Sequence, residues 1–152
     1  MVKKNMNETN KGFMKHNGGL NIKKINETNY EFKVLVQDIH LNSSKTAHGG
    51  FISTIADTGM GTTAHQVANN KRCVTINLNI NYISPALLND NLIGKIKVLK
   101  KTNTLVFINC EIISSSSSLE NFLKFNSPLM TLCEISKIYC DFILDNPTLF
   151  NS

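Results

Sequence analysis

Val74, Ile76, Leu78, Ile80 and Tyr82 alternate without a break against Thr75, Asn77, Asn79 and Asn81. A period of two predicts a strand with its apolar face on a core and its asparagines outward, ended by Ser84-Pro85. Upstream the period changes. At about 100° per residue, Ile52, Ile55, Ala56, Gly59, Met60, Thr63 and Val67 fall on one stripe, which predicts a helix from about His48 to Val67 or Ala68 with that stripe buried. It closes before Asn69-Asn70-Lys71. Gly59 and Gly61 each cost a helix interior about 1 kcal/mol against alanine, so a neighbour must come close there.

The other segments read more briefly. Leu20 to Ile25 and Tyr30 to Val36 form a hairpin about the Asn26 to Asn29 turn, and Asp38 to Ala47 is a polar loop that delivers the chain to the helix. Leu92 to Lys100 and Thr104 to Ile113 are strands joined at Lys101-Thr102-Asn103, and Leu129 to Ile138 is a last strand. The order of two strands, one long helix and four strands gives an α+β class, an antiparallel sheet covering one helix. Residues 1–17 are expected as a tail, 18–140 as the domain, 114–127 as a serine-rich flexible insertion within it, and 141–152 as a second tail.

With 152 residues and 41% hydrophobic content, the chain suffices for one core around one helix. The formal charge of +5 favours an anionic partner. Its lysines are scattered and carry no interleaved aromatics, which argues against nucleic acid. The four cysteines have neither metal-ligand spacing nor a CxxC pair, so no metal is expected and the thiols are read as reduced and structural. No stretch has the length of a membrane span, and the first 16 residues lack the apolar core of a signal peptide. The expected compartment is the cytoplasm, with the mitochondrion left open.

Candidate chemistry gathers on the helix. His48-Gly49-Gly50 opens it, and a helix N-terminus carries unpaired N–H groups and partial positive charge, so the Gly49 N–H is suited to a developing oxyanion. Two glycines after a polar residue are also an ordinary permissive helix start. Asp57 projects at the edge of the apolar stripe, with the small Ser53 and Gly61 four residues away on either side. A mid-helix aspartate is more often simply solvated, but this one has room for a ligand above it. By alternation Thr75 lies on the polar face; a bulge at the strand start would turn it inward.

The ordered set of Asn42, His48-Gly49-Gly50, Asp57 and then Val74 to Ala86 ending in Tyr82-Ile83-Ser84-Pro85-Ala86 resembles the hotdog-fold acyl-CoA thioesterases of the PaaI-like and thioesterase superfamily member 2 type. The resemblance covers roughly residues 20–138 outside the insertion. It implies hydrolysis of fatty or aryl acyl-CoA with no cofactor beyond the coenzyme A of the substrate, in a homodimer, often a dimer of dimers. The catalytic set it implies is Asp57 as base or nucleophile, Gly49 as oxyanion donor, Asn42 and Thr75 holding the water, and His48 at the helix start. The binding set is Gly50, Asn77, Tyr82, Ser84, Pro85, Ala86, Lys100, Lys101 and Thr104, with the lysines facing coenzyme A phosphates.

On one helix Gly49 and Asp57 are separated by about 12 Å along the axis. One carbonyl cannot meet both. Two antiparallel helices in a two-fold dimer would bring Gly49 of one subunit to Asp57 of the other and make two sites. A non-catalytic acyl-CoA-binding module and a hotdog dehydratase remain as alternatives.

Overall fold

The computed structural model describes residues 11–114 and the backbone of 134–144. Residues 1–10, most of the serine-rich insertion and the chain beyond 144 lie outside the described residues. The elements are α1 (Gly12–His16), β1 (Ile22–Lys24), β2 (Asn29–Leu35), a short 3-10 turn (Asp38–His40), α2 (Gly49–Val67), β3 (Cys73–Tyr82), β4 (Asn91–Lys101), β5 (Leu105–Ser114) and β6 (Glu134–Leu144). All six strands form one antiparallel sheet in the order β1-β2-β4-β5-β6-β3. The α+β class and the single long helix follow the sequence pattern, and α2 lies against β1, β3, β4, β5 and β6. Among the described residues no helix is long and apolar enough to cross a membrane.

The buried face of α2 comprises Phe51, Ile52, Ile55, Ala56, Gly59, Met60, Thr63 and Ala64. This is the expected stripe, with Val67 only half-buried at its C-terminal end. It packs on alternate residues of the central strands, among them Phe32, Leu92, Ile96, Val106, Ile108 and Ile112. Gly59 earns its place by contact. A Cβ there would lie 2.6 Å from the Phe32 ring, and one on Gly94, which pairs with Phe32 across β2 and β4, would lie 2.1 Å from it. The two glycines form a slot for one aromatic ring, and that packing offsets the helix-propensity penalty of Gly59.

Four segments differ from the sequence reading. Residues 12–16, expected as tail, form a single helical turn that buries Met14. β6 is described from Glu134 to Leu144, so the strand expected over Leu129 to Ile138 continues past its expected end into residues assigned to the C-terminal tail, while residues 129–133 lie outside the described residues. The β5 and β6 ends nevertheless meet, with Ile113 opposite Glu134. The third difference is in β3, where the register with β6 passes from Thr75↔Phe142 to Asn77↔Asp141 and leaves Ile76 as an extra residue. A bulge of this kind reverses the facing of everything before it. Val74 and Ile76, expected on the core, are therefore exposed, at 39% and 49% of their full accessibility. Last, the expected loop over 38–47 opens with the 3-10 turn and buries His40.

Candidate functional site

The bulge decides the chemistry. Cys73 and Thr75 before it, and Leu78, Ile80 and Tyr82 after it, all turn toward α2, while Asn77, Asn79 and Asn81 point outward and are exposed. Thr75 Oγ1 donates to Asp57 Oδ1 at 2.6 Å. A hydroxyl-to-carboxylate contact this short is a charge-assisted bond that fixes the carboxylate plane and leaves Oδ2 for another donor. Asp57 is half-buried at the middle of the helix. The structure thus brings Thr75 and Asp57 together and leaves Asn77 outside the cluster.

At the N-terminus of α2, His48 is the capping residue. Its Nδ1 accepts the Gly50 N–H at 2.9 Å, which places the imidazole proton on Nε2. The Phe51 and Ile52 N–H groups go to the His48 carbonyl at 2.9 and 3.2 Å. Gly49 N–H has no acceptor among the described residues and is the donor left over for a ligand. Backbone strain does not require glycine at 49, since its φ is negative, and an added Cβ would meet the Tyr82 ring only at 3.5 Å. Gly50 is different: a Cβ would sit 2.9 Å from the His48 ring and dislodge the cap.

Tyr82 closes the same end. Its hydroxyl lies 2.5 Å from Ser53 Oγ, and both hydroxyl oxygens lie 3.0 Å from the Gly49 carbonyl, so one hydroxyl donates to the other and the second donates to the carbonyl. Beside it lies an open cavity of about 320 Å³ lined by Ala47, Gly49, Ile52, Tyr82, Ile83, Ser84, Pro85 and Ala86. Four expected binding residues, Tyr82, Ser84, Pro85 and Ala86, therefore share one cavity wall with Gly49.

Other expected residues lie elsewhere in the chain. Asn42 does not reach Asp57. Its Oδ1 accepts from the Ser44 and Thr46 N–H groups and its Nδ2 donates to Thr46 Oγ1, so it ties its own loop. Lys101 Nζ donates to the Val67 carbonyl at 2.7 Å and so neutralises the C-terminal end of α2. Lys100, Lys101 and Thr104 are exposed at that end, about 27 Å along the helix from Gly49. Within one chain the cationic turn and the cavity are at opposite ends.

Two residues escaped the sequence reading. Ser53 was visible only as a small neighbour of Asp57, although one turn after Gly49 it can reach back to that carbonyl. His40 is 2% exposed, with Nδ1 accepting the Gln37 N–H at 3.0 Å and Nε2 buried without a partner among the described residues. Burial holds its imidazole below the ordinary histidine range. Nothing in the hydrophobic pattern marks it.

The sequence profile of the thioesterase superfamily matches residues 44–120, which hold every element of the site from the α2 cap to the β4–β5 turn. A putative esterase of Caenorhabditis elegans is 30% identical over 108 residues, 65% of this chain and 64% of that protein. Human acyl-coenzyme A thioesterase 13 is 28% identical over 82 residues, 54% of this chain and 59% of that one. The chain thus spans about three-fifths of the length of these relatives. Among solved structures, zebra fish thioesterase superfamily member 2 superposes with a TM-score of 0.71 at 19% identity, covering 88% of this chain and 87% of that one. A thioesterase protein from Streptococcus pneumoniae with coenzyme A superposes with a TM-score of 0.67 at 19% identity, covering 84% and 90%. The fold is theirs, the hotdog arrangement.

Proposed function

The chain belongs to the thioesterase superfamily, and from that premise we propose that it hydrolyses an acyl-CoA thioester to a carboxylic acid and coenzyme A, at sites shared by two copies. The observation that carries this is the Thr75–Asp57 pair on a helix whose own N-terminus presents the unused Gly49 N–H. Thr75 occupies Oδ1 of Asp57, so Oδ2 takes a proton from water as the water oxygen attacks the thioester carbonyl carbon. The oxyanion forms against the Gly49 N–H of the facing subunit. When the carbonyl re-forms, the C–S bond breaks and the sulfur leaves with the proton from Asp57. Direct attack by Asp57, through an anhydride that water then opens, uses the same groups.

Two features support sharing. Gly49 and Asp57 are about 12 Å apart on one helix, and β3 stands at the end of the sheet with no strand on its outer edge among the described residues. A two-fold axis beside that edge sets the helices antiparallel, and pairs of dimers complete a tetramer on this reading. Such an arrangement also carries Asn42 toward the partner's Asp57, where its amide would help to hold the water. The cavity at Tyr82 to Ala86 takes part of the acyl-pantetheine chain, and Lys100, Lys101 and Thr104 attract coenzyme A phosphates.

The relatives' names support the substrate class, an acyl-CoA, and the coenzyme A bound to the pneumococcal protein supports the ligand. Cytoplasmic location is the reading that suits the cysteine spacing, which holds no CxxC pair. The test is free-thiol release from a panel of acyl-CoAs by the wild type and Asp57→Asn. Turnover that falls by three or more orders of magnitude in the variant is expected, on the order of what loss of a catalytic base or nucleophile costs. Binding without turnover in the wild type would favour a binding module, and hydration of an enoyl thioester a dehydratase.

A further inference from the structure

The residues just before Gly49 are held from two sides. The Ala47 N–H donates to the Ala86 carbonyl at 2.8 Å, and the His48 N–H donates to the His40 carbonyl at 2.8 Å. His40 makes two further contacts that no packing requirement alone explains. Its ring stacks on Phe51, in the first turn of α2, with centroids 3.8 Å apart and planes within 9°. Its Nδ1 takes the Gln37 N–H, and the Gln37 carbonyl in turn accepts the His40 N–H at 2.9 Å, a reciprocal pair that closes the 3-10 turn. An apolar residue of similar size would fill this site without burying a polar Nε2–H that has no acceptor among the described residues.

We propose that His40 is a positioning residue for the oxyanion donor: its ring, by stacking, holds Phe51, and its carbonyl holds His48. The Gly49 N–H, lying between the last two, is thereby fixed in direction. A donor that acts on a developing oxyanion has to be in place before reaction, and displacement by about 1 Å can cost about a hundredfold in rate. The inference rests on the reading of Gly49 as that donor, and it concerns a side chain that touches no substrate.

The test uses the full chain with His40→Ala, His40→Leu and His40→Phe. Phenylalanine keeps the stacking face and gives up the Nδ1 acceptor; leucine fills the volume without a face, and it stands in for alanine if that variant does not fold. In the alanine or leucine protein kcat is expected to drop about 10- to 100-fold with KM within about threefold, and His40→Phe to recover to within about threefold of wild type. A purely structural role would lower Tm and leave kcat per folded molecule unchanged, which would overturn the proposal. So would a phenylalanine variant as slow as the leucine one. Amide hydrogen exchange at Gly50 and Phe51 provides a readout without substrate: faster in the leucine variant, near wild type in the phenylalanine variant. If the wild type hydrolyses no thioester, the reading of the activity fails, while exchange still decides whether His40 fixes the helix start. Unchanged exchange in His40→Leu would end the proposal by itself.

Discussion

Replacing Thr75 by valine removes one hydroxyl and almost no volume, and so isolates the bond to Asp57. That bond is 2.6 Å long and runs to a carboxylate; hydrogen bonds to charged groups contribute about 1.5–3 kcal/mol. Thr75 is exposed and Asp57 only half-buried, so water can replace part of the interaction and the lower half of the range applies. At about 1.4 kcal/mol per decade of rate, kcat should fall about 10- to 40-fold. KM should change by less than about threefold, since the hydroxyl orients Asp57 and does not grip the body of the substrate. Thr75→Ser keeps the hydroxyl and should recover most of the rate. Steady-state thiol release gives both constants, and Tm confirms an intact fold. A valine variant within twofold of wild-type kcat, or a serine variant as slow as the valine one, would refute the role given to this bond.

Other outcomes follow from the same geometry. Mixing Asp57→Asn with Gly49→Val subunits under conditions that exchange partners should restore activity to about a quarter of wild type, because half the dimers are mixed and each mixed dimer has one intact site; no recovery would argue against shared sites. Deleting Ile76 should straighten β3 while Thr75 and Leu78 keep their facing, so activity should survive, whereas deleting Asn79 should turn Thr75 away and abolish it. The depressed His40 imidazole resists protonation in the folded chain. Its contribution to stability is complete above the ordinary imidazole value of 6.5 and declines as pH falls below it toward the lowered folded-state value. Thermal melts from pH 7.5 to 5 should therefore fall more steeply for wild type than for His40→Phe.

What the sequence disclosed depended on the length and regularity of each signal. Nineteen residues with a 3.6 period placed α2 from Gly49 to Val67 almost to the residue, and the glycine penalty at 59 announced the close neighbour that proved to be Phe32. Alternation failed in β3 because one extra residue shifts the phase, and Ile76 is chemically indistinguishable from the apolar residues about it. The last strand runs past its expected end because Ile138 to Leu144 is apolar apart from Asp141 and holds no turn signal to mark where pairing stops. Asp57 and Gly49 could be singled out because a carboxylate and a glycine pair are rare on a buried helix. Ser53 and His40 act through contacts that spacing does not encode.

The Phe32 slot has a consequence for the order in which this sequence could have changed. A methyl group at Gly59 or Gly94 meets the ring at 2.6 or 2.1 Å, and the ring is buried between helix and sheet with nowhere to retreat. Neither glycine can be exchanged while phenylalanine is present, however much helix propensity alone would favour alanine at 59. The ring can shrink first, at the cost of a cavity, and then both glycines become replaceable. These three positions, distant in the chain, are one historical unit: every path to or from this core passes through a change at residue 32.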